Sequence, residues 1–377
     1  MIDFFFNLYF IFNLLNLWYS DYNVFLPFLL NFFIFWLFFF KVIFYFVYGN
    51  LLLSDQMKVK NINRFAHYSF FIKINLFLML FFILFFVTFR GEIDYFWWNH
   101  FKFSNFTFDI IILLLLVNFL FVFILGIIKY NFNIGKFDYF FALLNLANFL
   151  PLMFLVNTFF TFFFVLEVNS CLIFYKFVVS KIWYNGSKSD SFNNYLSLKR
   201  LLPKNYLNML FFQYWAAFFS SVMITFVLIF FMYLYGTTEW FILNIFNKMS
   251  MKYYMLNFFF NNIIVCSVIL FAFLIKIGFT PVQLYKIEIY KGIPYISIFF
   301  YTTYYFLAFF LFFVLLLTFY LNSYLIYWWG LLLFILCVGG IYVLSLLFDV
   351  NYIKSFFAYS SVVNSLGFIT LVSAMLI

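Results

Sequence analysis

The chain has 377 residues, 68% hydrophobic, 30% aromatic and only 9% charged, with a formal net charge of +9 and a mean hydropathy of +1.09. These values lie far outside the range of soluble domains, exclude a water-soluble enzyme, and imply an all-α polytopic membrane protein. The positive balance suits anionic lipid head groups and needs no nucleic acid. Phe 74 and Tyr 30 against Gly 12 and Pro 5, with arginine only at positions 64, 90 and 200, look like codon drift in a very AT-rich genome, as in many mitochondria. Most of the phenylalanines therefore carry no functional message.

A spanning helix takes about 20 mainly apolar residues. The first run, 3–19, is a little short and carries Asn7, Asn13 and Asn16, so it could span or lie along the interface; the role of residues 1–23 stays open. It lacks the features of a cleaved signal or an Arg-rich transit peptide, which predicts synthesis where the chain is inserted. Ten further runs bounded by polar loops follow, at 24–49, 69–90, 108–130, 139–156, 159–181, 207–236, 257–285, 294–321, 324–347 and 352–375. They divide into a first group of three spans, 24–130, and a core of seven, 131–377. The loops after the odd-numbered spans hold thirteen lysines and arginines, among them Arg64, Arg200, Lys286, Lys291 and Lys354, against four in the alternate loops. Basic residues accumulate on the side of synthesis, so the odd loops are expected there.

Charges within spans must be paired, hydrated or able to reach the interface, because each costs roughly 2.5–3.5 kcal/mol at the bilayer centre. Lys41, Lys73 and Lys176 lie near span ends and are expected to snorkel. Asp109 opens its span and suits the helix dipole. Glu167, within TFFFVLEVNSCLIFYKF, is too short to reach water from its depth, and Lys276 lies deeper still. They are expected either to neutralise each other across a helix interface or to titrate as a coupled proton-relay pair. Behind Lys276, Gly278 and Pro281 should interrupt the helix, Pro281 because it has no N–H to donate to Ile277. Such a break is tolerated in a membrane only inside protein or beside a water-filled cavity. Cys171, Cys266 and Cys337 are isolated, and His67 and His100 lie far apart on loops, so neither a disulfide framework nor a metal or iron–sulfur site is expected.

Four stretches match a known family. KIGFTPVQLYKIEIYKGIP (276–294) resembles the broken seventh helix of the NADH dehydrogenase subunit 2 family, the antiporter-like membrane subunits of mitochondrial respiratory complex I. AYSSVVNSLGFITL (358–371) is similar to the family's Ala-Tyr-Ser-Ser signature, with Lys354 at the basic position before it. FDYFFALLNLANFLPLMFLVNTFFTFFFVLEVNS resembles helices four and five, and YWAAFFSSVMITFVLIFFMYLYG helix six. Their order and spacing agree over 138–376.

The resemblance implies an antiporter-like helical bundle with a broken seventh helix, in which Glu167 and Lys276 are the proton-relay pair and Gly278 and Pro281 the break. It places the loop acid at Glu288 and the Gly-x-Pro at Gly292 and Pro294. It also implies a multi-pass subunit of the mitochondrial inner membrane inside an assembly that oxidises NADH, reduces ubiquinone and translocates protons. FMN, iron–sulfur clusters and quinone would belong to other chains, and none to this one. Partners would be the other complex I membrane subunits and anionic lipids such as cardiolipin. Three departures matter: Gln213 stands where many relatives carry a lysine, no basic residue lies near Phe306 at the helix-eight lysine, and Asn364 replaces a histidine. The family has fourteen helices against ten here, which predicts a separate polypeptide for the rest. The rivals are a complex I scaffold that no longer pumps, and an unrelated secondary transporter or sibling antiporter-like subunit.

Overall fold

In hydrocarbon, each backbone N–H and C=O must find its partner within its own segment, and this apolar chain is accordingly built mostly of helices. The computed structural model describes residues 72–87 apart from 74, 78 and 85; 94–96; 100–127; 142–180 apart from 144 and 148; 204–245; 256–280; 282–317; 322–350; and 352–375. The segment 1–23, the span at 24–49, Lys41, His67 and Pro281 lie outside the described residues.

A small hairpin departs from the purely helical expectation. Strand β1 (Asp94–Phe96) pairs antiparallel with β2 (Phe101–Phe103), with Asp94 opposite Phe103. The Lys102 N–H donates to the Leu155 carbonyl at 2.7 Å, tying the hairpin to the end of the 3-10 turn Leu150–Phe154.

Helix α1 (Asn105–Ile127) starts three residues before the expected 108. Its start is set by hydroxyls: the Ser104 N–H donates to Thr107 Oγ1 at 2.9 Å, and the Thr107 N–H to Ser104 Oγ at 3.4 Å. Asp109 consequently falls in the second turn, and the first turn contains no acidic residue. The dipole role expected of Asp109 is thus corrected, because the effect fades beyond the first turn. Helix α2 (Phe159–Val179) is N-capped by Thr158, whose hydroxyl accepts from the Thr161 N–H at 3.3 Å and sits 3.1 Å from His100 Nδ1. His100 thus braces a helix start.

The remaining helices are α3 (Lys204–Tyr235), α4 (Leu256–Ile277), α5 (Leu284–Gly292), α6 (Tyr295–Phe300), α7 (Phe306–Leu315), α8 (Asn322–Phe348) and α9 (Ile353–Met375). A π-helical turn, Tyr301–Tyr305, joins α6 to α7 without interrupting the rod. Among the described residues, four segments are long and apolar enough to cross a membrane: Phe106–Ile124, Phe159–Val179, Asn205–Tyr235 and Ser297–Leu315. They mark a membrane protein.

Helix α3 packs along α4, α5 and α2, while α9 packs on α8 and α5. Phe162 of α2 stacks on Phe312 of α7 at 4.5 Å and on Phe273 of α4 at 5.6 Å, so three helices meet at aromatic faces. Such pairs contribute about 0.5–1.5 kcal/mol each beyond simple burial. Lipid tails are as apolar as these side chains, so close packing rather than water exclusion holds the bundle together.

Candidate functional site

The site forms where α2, α3 and the end of α4 converge. On α2, Leu166, Asn169, Ser170 and Ile173 recur at helical spacing and share one inward stripe. They line a small cavity of about 20 Å³ together with Gln213 of α3, Lys276 of α4, Tyr285 of α5, Tyr305 and Phe309. The lining is mostly apolar, but Asn169, Gln213 and Lys276 bring polar groups to it, and a space of that size holds roughly one water.

Glu167 is on α2 beside this stripe, close to the helix midpoint. Its Oε1 lies 3.5 Å from Lys276 Nζ, and the two side chains are 33% and 6% exposed respectively. Ser170 supports the carboxylate, its Oγ donating to the Glu167 carbonyl at 2.8 Å and approaching Oε2 at 3.4 Å. Two ionisable groups from different helices thus meet, one enclosed and the other one-third open.

The helix carrying Lys276 ends one residue later. Gly278 adopts φ +79°, the left-handed conformation that a β-carbon disfavours. Its N–H donates to the Ile275 and Leu274 carbonyls at 3.2 and 3.0 Å, and the Phe279 N–H to Leu274 at 3.0 Å, which together close a Schellman cap. The expected break is present, and within the described residues it is Gly278 that ends the helix. Tyr285 completes the closure by donating its hydroxyl to the Ile275 carbonyl. A β-carbon on Gly278 would come within 2.9 Å of Lys286 Cδ and 3.1 Å of the Tyr285 hydroxyl, so the turn is packed from outside as well.

The other expected residues fall into two groups. Gln213 is 7% exposed and faces Lys276 across the cavity, at the position where the resemblance implies a lysine. Glu288 does not: it lies on helix α5 rather than on a loop, paired with Lys291 at 2.6 Å one turn on. Lys286, counted among the loop charges, is likewise buried on α5. Lys354 at the start of α9 donates to the Ile293 carbonyl at 2.7 Å and so fastens the end of α5.

Lys176 contradicts the snorkelling expectation. It is fully enclosed, and its Nζ has no hydrogen-bond partner among the described residues. The ammonium position faces Phe300 at 4.5 Å, Tyr301 at 5.6 Å and Phe177 at 5.9 Å. The physical reason is rotational: Lys176 follows Asn169 and Ile173 on the inward stripe, so its stem points into the bundle despite its place in the last turn of α2. Lys73, by contrast, is exposed. Asn169, Tyr285 and Tyr305 also belong to the site and were not singled out in the sequence. Asn169 is 1% exposed, and neither of its amide atoms is hydrogen-bonded among the described residues. Among the described residues, no group of three or more His, Cys, Asp or Glu side chains could hold a metal ion. In searches for relatives, no family model and no curated protein matched this chain.

Proposed function

We propose that this chain is a membrane-arm subunit of the proton-pumping NADH:ubiquinone oxidoreductase of the mitochondrial inner membrane, contributing a proton relay through Glu167 and Lys276. The observation that carries this reading is the 3.5 Å pair placed directly before a helix end closed by a left-handed glycine. Helices interrupted near the midplane are how membrane transporters bring water and backbone carbonyls to a buried ion site. The carboxylate attracts a proton to Lys276, the cavity beside it admits a water, and separation of the pair releases the proton. Moving one proton against the membrane potential costs about 2.3 kcal/mol per 100 mV. A change of roughly two pKa units matches that, at 1.36 kcal/mol per unit. The pair is large enough to act as a switch, and the driving energy comes from redox chemistry in other chains.

A one-third exposed carboxylate at this depth is incompatible with bare hydrocarbon. Water or another polypeptide covers it, which agrees with membership of a larger assembly. The scaffold reading rests on Gln213, a neutral amide that can carry water but not net charge. Mass spectrometry of the native assembly purified through this chain tests the proposal. Copurifying NADH-oxidising and quinone-reducing subunits are expected; a chain recovered free of them contradicts it.

A further inference from the structure

The site leaves one buried ionisable group unused. Lys176 is enclosed on all sides, and no carboxylate lies within salt-bridge distance of it among the described residues. Burial of an ammonium without a counter-ion is costly, whereas three aromatic faces within 6 Å favour it. A group held between two such opposed effects suits both uptake and release of a proton.

The neighbours of Lys176 lead toward Lys276. Tyr301 stands against the Lys176 ammonium position, and its ring stacks on Tyr305 at 4.5 Å, with the two hydroxyls interacting. Tyr305 in turn lines the cavity that Lys276 shares. Tyr290 of α5 meets Tyr301 edge to face, with ring centres 6.4 Å apart, and Tyr285 approaches the same cluster. Lys176 is nine residues beyond Glu167 on one helix, about 13 Å toward the end of the span. That end faces the basic loops, so Lys176 occupies the uptake side and Lys276 the middle.

We propose that Lys176 is a second proton-carrying lysine, linked to Lys276 through the hydroxyls of Tyr301 and Tyr305. It deepens the function proposed above and rests on it. In one transfer, a change of rotamer carries the Lys176 ammonium from the Tyr301 ring face, 5.6 Å from its centre, to the hydroxyl, and its proton passes to the Tyr301 oxygen while the Tyr301 hydroxyl proton passes to Tyr305. The Tyr305 proton then passes, directly or through one cavity water, to the neutral Lys276 amine. One N–H bond breaks at Lys176 and one forms at Lys276. Lys176, closed off from water in this conformation, recovers its proton when the end of the span opens toward the basic side. Both hydroxyls rotate back unchanged.

The test compares Lys176→Met, Lys176→Arg and Tyr305→Phe in the intact native assembly, reading proton translocation per electron alongside electron transfer. Methionine keeps the length without the charge, while arginine keeps the charge and does not release its proton. Both lysine variants are expected to lose at least half of this chain's share of translocation, and Tyr305→Phe to lower it, with assembly retained. Lys176→Arg at full translocation would overturn the proposal, because the residue would then be a fixed cation in an aromatic cage. Lys176→Met at full translocation would overturn it too. Lys276→Met in parallel separates the two ideas: loss there with normal Lys176 variants removes only this inference, and normal translocation there removes the relay beneath it.

Discussion

Gly278→Ala probes the break with an internal control. At φ +79° an alanine pays roughly 1–2 kcal/mol for the left-handed conformation alone. Its β-carbon would also press on Lys286 Cδ at 2.9 Å and Cβ at 3.1 Å. Lys286 is itself 5% exposed and held between helices, so it cannot move freely, and overpacking of that kind costs about 1–3 kcal/mol more. The sum is roughly 2–5 kcal/mol. Gly236 has a similar φ of +66° but nothing within 4 Å of an added β-carbon, so Gly236→Ala should lose only the conformational part. Unfolding of both variants in mixed detergent micelles gives the difference, about 1–3 kcal/mol. Equal losses in the two variants would refute the close packing of the break against α5.

Gly339→Ala should be still more disruptive, because its β-carbon would overlap the Thr280 Oγ1 and Cγ2 positions at 2.5 and 2.6 Å. Thr280→Gly in the same chain should restore part of the lost stability in the same unfolding assay. Lys354→Met leaves the Ile293 carbonyl without its 2.7 Å donor and should cost about 1–3 kcal/mol, with faster hydrogen exchange around the start of α6. Glu288→Gln breaks a partly exposed pair one turn apart and should cost no more than about 0.5 kcal/mol, leaving translocation unchanged.

The pairing of Glu167 with Lys276 was legible because a short carboxylate has no route to the interface from its depth, so a partner was obligatory. The break just after Lys276 was legible from Gly278 and Pro281 together, though the emphasis fell on the missing N–H of Pro281. The positive φ at Gly278 already closes the cap three residues earlier. Lys176 was misread because depth along a helix was weighed and rotation about it was not. Its spacing of seven from Asn169 and three from Ile173 carried the signal. Tyr301 and Tyr305 were hidden by composition: with 74 phenylalanines and 30 tyrosines, two more aromatic residues stand out only when their neighbours are known. Glu288 and Lys286 were read as loop charges because a charged run after a broken helix resembles a loop, whereas α3 and α9 give α5 enough packing to be helical.

The measurement closest to the heart of the proposed mechanism is the number of protons translocated per electron in the intact assembly carrying Lys276→Met or Glu167→Gln. Both substitutions keep side-chain volume and remove a charge, so electron transfer and assembly should persist while translocation falls. Unchanged stoichiometry in both variants would mean that the buried pair holds helices together and carries no protons.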